Sequence, residues 1–238
     1  MRLRIPLSAP LALGLALGLV LLAGLLGGCG SSSSGNGVAA KTPTDIVAAA
    51  KVAADAASSV HVSGSIVSGG SPITLDLDLL AGKGGRGQLT ENGLGFELIE
   101  TGGTVYIKGS SAFYRHIGGT AAAQLLQGKW LKAPTTSKEF ASISSLTDLR
   151  QLVDSTLSNH GTLAKGSTTT VNGQKVVGVT DTGKGGTLYV AETGQPYPIE
   201  ITKSGAGGGT ITFGRWNESV SLAAPANAID IAQLQSAH

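Results

Sequence analysis

The residues whose types could do chemistry are few and scattered. Histidines stand at His61, His116, His160 and His238. No two of them have the i, i+4 spacing that sets two imidazoles on one helix face for zinc. Asp76 and Asp78 share one face of an alternating stretch and read as a solvated face. Nothing marks them as the paired carboxylates that glycoside hydrolysis needs at a cleft. The chain holds no Gly-x-Ser-x-Gly elbow, and Ser31–Ser34 belongs to a Gly/Ser run. Gly205–Gly209 has the composition of a phosphate loop but lacks its Lys-Ser/Thr ending and a following helix, so it reads as a wide hairpin turn. Trp130 and Trp216 read as core residues. No catalytic residue, metal site or cofactor is expected. What remains is a single thiol, Cys29, which has no internal partner for a disulfide.

The position of Cys29 says what that thiol does. Met1-Arg2-Leu3-Arg4 is a basic start, and residues 11–26 contain only Leu, Ala, Val and Gly. Those sixteen residues fall short of the ~20 that span a bilayer, and they read as the apolar region of a secretory signal. Leu26-Gly27-Gly28-Cys29 resembles the bacterial lipobox, in which the cysteine receives a diacylglyceryl group and cleavage falls just before it. Residues 1–28 are therefore expected to be a lipoprotein signal peptide. Residues 29–43 are expected to be a lipidated tether, its Gly/Ser run a flexible coil. The mature chain is expected on the extracytoplasmic face of the cell membrane, held there by Cys29.

Seventeen basic residues oppose fifteen acidic ones. Loss of Arg2 and Arg4 with the leader balances the two at fifteen each, which points away from a nucleic-acid partner. Charged residues make up 13% of the chain and glycine occurs 36 times. That composition fits an extracytoplasmic β-rich protein better than a cytosolic enzyme. Residues 44–238 are long enough for one domain with its own core.

The elements follow from periodicity. Thr44 or Asp45 can cap a helix whose apolar face is Ile46, Ala49, Ala50, Ala53 and Ala57. Residues 59–68, 73–79, 94–98 and 104–108 alternate apolar and polar, with glycine turns between them, and read as an antiparallel meander. Residues 111–135 are less regular, with a short helix at Ala121–Leu126. Ser144–Leu157 reads as one amphipathic helix with Leu146, Leu149, Leu152, Val153 and Leu157 as its stripe. A second meander follows, opened by the hairpin signal Asn172-Gly173. Helix, meander, helices, meander predicts an α+β fold: one large curved antiparallel half-barrel sheet with helices packed on its concave face.

This layout resembles the lipoprotein family of LppX, LprA, LprF and LprG, whose fold is shared in outline with the LolA and LolB carriers. The residues that carry the resemblance are the lipobox ending in Cys29, Ser58–Gly64 after an alanine-rich helix, and Gly128-Lys129-Trp130-Leu131. To these are added the Val171–Gly178 hairpin and the Leu188–Ile199 pair. The resemblance covers most of 44–222. It implies a half-barrel enclosing an apolar cavity for the acyl chains of membrane or envelope lipids or lipoglycans, with an envelope transporter as a further partner.

The lining expected from alternation and from the resemblance is Val62, Ile66, Leu75, Leu77, Phe96, Leu98, Val105, Leu149, Leu152, Ile201 and Phe213. Such a cavity binds by removing apolar surface from water, at ~25 cal/mol per Å², and needs no reacting group. The alternative is the same fold with a filled core, serving as an envelope sensor or scaffold for a protein partner. An enzyme ranks last.

Overall fold

The computed structural model describes residues 35–137 and 141–235. Cys29 and the leader lie outside the described residues.

Helix α1 (Pro43–Asp55) starts at a cap made by Thr42, two residues before the expected Thr44. The Thr42 hydroxyl accepts from the Asp45 N–H at 3.2 Å and donates to Asp45 Oδ2 at 2.7 Å. Pro43 fills the first helical position, where a missing N–H costs nothing. The helix buries Ile46, Val47, Ala50, Ala53 and Ala54. Its small residues let it lie close to its neighbours.

Five strands then run back and forth: β1 (Ser59–Ser68), β2 (Ser71–Leu80), β3 (Gly84–Glu91), β4 (Leu94–Thr101) and β5 (Thr104–Gly109). Helix α2 (Ser111–Leu126) and strand β6 (Leu131–Pro134) occupy the stretch expected to be less regular. Helix α2 is kinked at Gly118-Gly119, where Gly119 takes φ 72°. It is pinned to the sheet by Tyr114, whose hydroxyl accepts from the Gly109 N–H at 2.9 Å and donates to the Lys129 carbonyl at 3.1 Å. Burial raises the pKa of that phenol.

The expected single helix over Ser144–Leu157 is two: α3 (Ala141–Thr147) and α4 (Leu149–Ser158). The break falls at Asp148, which has extended backbone and caps α4 by accepting the Gln151 N–H at 2.9 Å. Aspartate competes for backbone donors, so an apolar stripe alone did not reveal this stop.

The second meander is β7 (Leu163–Val171), β8 (Gln174–Asp181), β9 (Thr187–Ala191), β10 (Pro198–Lys203) and β11 (Gly209–Gly214). Asn172 (φ 49°) and Gly173 (φ 78°) make the two-residue turn joining β7 to β8, as their left-handed tolerance predicts. Strand β12 (Ile229–Asp230) and helix α5 (Ile231–Gln235) close the described chain.

All twelve strands form one sheet, in the order β12-β6-β5-β4-β3-β2-β1-β11-β10-β9-β8-β7. Every pairing is antiparallel except β12 with β6. Pairing of β1 with β11 joins the two meanders, His61 opposite Gly214 through Ile66 opposite Gly209. The sheet is open, and the fold is α+β, as expected.

Sheet curvature follows from the core. One cluster unites Val62, Leu77, Leu98, Val179 and Leu188 with Ile46 of α1 and Leu149 of α4. Strands β4 and β8 are seven neighbours apart, roughly 33 Å along a flat sheet at ~4.8 Å per strand. A helix is only ~10–12 Å thick. Both halves can meet the same helical layer only if the sheet curls around it.

Part of the expected tether is held. Asn36 donates from its backbone to the Glu192 carbonyl at 2.7 Å and from its side chain to the Ala191 carbonyl at 2.9 Å. A 3-10 turn over Val38–Ala40 buries Val38 in the main core. Lys165 Nζ donates to the Ala39 carbonyl at 3.0 Å. Glycine and serine composition foretold a coil, but one valine with a socket overrides composition.

Candidate functional site

Helix α1 lies over strands β7–β10 of the second meander, and α4 packs beside it. Lys51 of α1 joins them, with Nζ 3.0 Å from Asp55 Oδ2 and 3.0 Å from Asp154 Oδ1 of α4. Hydrogen bonding to Asp154, then to Asp55, raises the Lys51 pKa. The same contact with Lys51, helped by Ser158, lowers that of Asp154.

Beyond the end of α4 the helix pair leaves a cleft of about 310 Å³ against the sheet. Its apolar wall is Val47 of α1, Leu157 of α4, Leu163 of β7, Val179 of β8, Leu188 of β9 and Ile201 of β10. Strand alternation supplies the last three, since Val179 and Leu188 face each other in register and Leu188 faces Ile201.

The rim is polar and built on the β8–β9 turn. Asp181 Oδ1 accepts the N–H groups of Gly183 at 2.9 Å and Lys184 at 2.8 Å. Its Oδ2 accepts the Gly161 N–H at 2.7 Å, which ties the loop after α4 to the turn. These bonds, the Lys184 N–H foremost, hold the Asp181 pKa below the usual carboxylate value. Lys184 Nζ donates to Asn159 Oδ1 at 2.5 Å. Lys203, at the end of β10, is exposed, and its Nζ has no hydrogen-bond or ion-pair partner among the described residues. His160 bonds the Gly161 carbonyl through Nδ1 at 3.0 Å.

Of the eleven expected lining residues, Ile201 alone stands at this cleft. Val62, Leu77, Leu98, Leu149 and Phe213 are buried in the main core, and Leu75, Phe96 and Leu152 are half-buried against it. Val105 is buried on β5, and Ile66 is half-buried near the end of β1. Alternation identified residues that face inward. It could not say where packing leaves space. Val47, Leu157, Leu163, Val179 and Leu188 went unnamed as lining, although Leu157 lay within the helical stripe and Leu188 within the Leu188–Ile199 pair.

Several other chemistry-bearing residues serve structure, and His238 lies outside the described residues. His61 Nδ1 lies 3.0 Å from Asp78 Oδ1, and Arg215 Nη2 donates to that oxygen at 2.8 Å while also touching His61 Nδ1. Arg86 Nε stands 3.5 Å from Asp78 Oδ2. Asp78 is thus the centre of an ionic knot across β1, β2 and β3, not a plain solvated carboxylate. Trp216 stacks on Tyr197 at 4.5 Å, and Lys108 Nζ sits 5.0 Å over the Trp130 ring. Among the described residues no group of three or more His, Cys, Asp or Glu could hold a metal ion. The Gly205–Gly209 stretch is the β10–β11 turn.

No protein-family model matches the sequence, and no curated protein sequence matches it. Solved structures do share its fold. LprF from Mycobacterium bovis superposes with a TM-score of 0.55 at 15% identity, covering 78% of this chain and 97% of LprF. The Mycobacterium tuberculosis lipoprotein LppX superposes with a TM-score of 0.51 at 19% identity, covering 76% of this chain and 98% of LppX. The chain therefore has the fold of the LppX and LprF lipoproteins, which the sequence resemblance implied.

Proposed function

We propose that this protein is an envelope lipoprotein that binds lipid acyl chains in the cleft between α1, α4 and strands β7–β10. Residues 1–28 act as its signal peptide, and Cys29 carries the lipid that holds it on the extracytoplasmic face of the cell membrane. Residues 44–238 form the lipid-binding domain. It requires Asn36–Lys41 as well, because Val38 belongs to the core. The observation that carries the reading is an apolar-walled cleft beside the main core, in a fold shared with LppX and LprF. Binding there removes apolar surface from water and asks for no reacting group.

The cleft accounts for a chain, not for a large lipoglycan. A wider cavity lined by Val62, Ile66, Leu75, Leu77, Phe96, Leu98, Val105, Leu149, Leu152 and Phe213 would require α1 and α4 to lift from the sheet. Transfer of cargo onward would require an envelope transporter as partner.

Native mass spectrometry of the domain from Gly35 onward, purified without detergent from its own type of envelope, tests the reading. A co-purifying acylated lipid is expected. A clean apo mass that no added lipid shifts would overturn it. That result would favour the second reading, an envelope sensor or scaffold that binds a protein. The observation on that side is that most inward residues already pack against one another.

A further inference from the structure

We propose that the cleft takes a single-chain amphiphile with an anionic head, its chain between α1, α4 and the sheet and its carboxylate or phosphate between Lys184 and Lys203. This rests on the lipid-binding reading and adds the ligand's chain number and head chemistry.

Size sets the first part. At about 310 Å³ the cleft lies at the lower end of the roughly 300–1,000 Å³ of small-molecule sites. Its six apolar wall residues come from six elements and converge on one space. A second chain would have to displace Leu157 or Leu188, both buried.

Charge sets the second part. Lys203 offers an ammonium with no partner among the described residues. Its stem runs beside Gly186 (φ 102°), where a Cβ would come within 3.6 Å of the Lys203 Cβ, so the turn lets the lysine lie close over the rim. Lys184 Nζ is bonded to the neutral Asn159 side chain. Asp181 is the acid of the rim, and three backbone N–H groups already occupy its oxygens. The rim therefore carries two lysines against one carboxylate. An anion fits there, because charge-assisted bonds to ammonium groups are stronger than neutral ones.

The test is calorimetric titration of the delipidated domain from Gly35 onward, whose described residues form one unit with its own core. The probes are palmitate, palmitoyl-lysophosphatidic acid, neutral monopalmitoylglycerol and two-chain dipalmitoylphosphatidic acid, each below its aggregation limit. Palmitate, lysophosphatidic acid or both are expected to bind one per chain, about tenfold or more tighter than monopalmitoylglycerol, and to weaken with salt. Which of the two binds tells a carboxylate head from a phosphate.

The double variant Lys184→Met, Lys203→Met is expected to lose that tenfold margin and to leave monopalmitoylglycerol binding unchanged. Retention of the neutral ligand shows that the variant is folded. Equal binding of monopalmitoylglycerol and the anions, or an unchanged double variant, would overturn the head-group assignment and leave lipid binding standing. Preference for the two-chain probe would overturn the single-chain assignment alone. Binding of no lipid at all would overturn the lipid-binding reading and this inference with it.

Discussion

Asp181 shows what one carboxylate does when its partners are backbone. It holds Gly161, Gly183 and Lys184 together and so fixes the rim of the cleft. Its pKa is lowered in the fold. Its stabilising effect is therefore full above the unfolded value of about 3.9 and is lost as pH falls through the lower folded value. Asp181→Ala is expected to melt a few degrees below the parent at neutral pH, and the gap to narrow in acid below about pH 4. Thermal melts over a pH series measure this; a gap independent of pH would contradict it. Gly87 makes a second case at this scale. It takes φ 156° opposite Leu77, and a Cβ there would stand 2.0 Å from the Asp76 carbonyl oxygen. Gly87→Ala is expected to cost on the order of 1–3 kcal/mol in urea unfolding. The sequence displayed Gly87 as one more glycine in a Gly-rich turn; only the strand register made it indispensable.

At the scale of elements, the decisive feature is the division of one helix into α3 and α4. Asp148 ends the first and caps the second, which turns Leu149, Val153 and Leu157 into the core and sets Leu157 at the cleft. Asp148→Ala is expected to cost about 1 kcal/mol and to speed hydrogen exchange at the Gln151 amide. An unchanged exchange rate at Gln151 would mean that the cap does not govern this helix start. The α1–α4 pairing through Lys51 is exposed and screened, so packing of Ala50, Ala54 and Val153 must supply most of what holds the two helices together.

The described residues form an open sheet curled over a helical layer, with edges at β7 and β12. Strand β7 guards its edge with a register shift between Lys165 and Thr168. Where the domain begins is also a property of the whole. Asn36 is bonded to the β9 end and Val38 is buried. A chain starting at Pro43 is expected to be less stable than one starting at Gly35 by about 1.5–3 kcal/mol, the worth of one buried valine. Equal urea midpoints would show the docked turn to be dispensable. With Cys29 lipidated as proposed, the segment from there to Gly35 spans at most roughly 25 Å, which keeps the domain close to the lipid surface.

The strands were legible because a half-buried strand must alternate with period two. The Asn172-Gly173 hairpin was legible because few residues accept a left-handed backbone. Together with the alanine-rich helix, these determined the α+β class and the order of its parts. Inwardness too was legible: nine of the eleven expected lining residues belong to or pack against the main core, except Val105 and Ile66. Tertiary structure alone decided where that core is filled and where it is open. The cleft is a property of Val47, Leu157 and Leu188 meeting across more than a hundred residues of chain, and of Lys203 reaching over a turn from a neighbouring strand. Periodicity is set residue by residue along the chain, whereas empty space is set by how separate elements fit, and no local pattern encodes that fit.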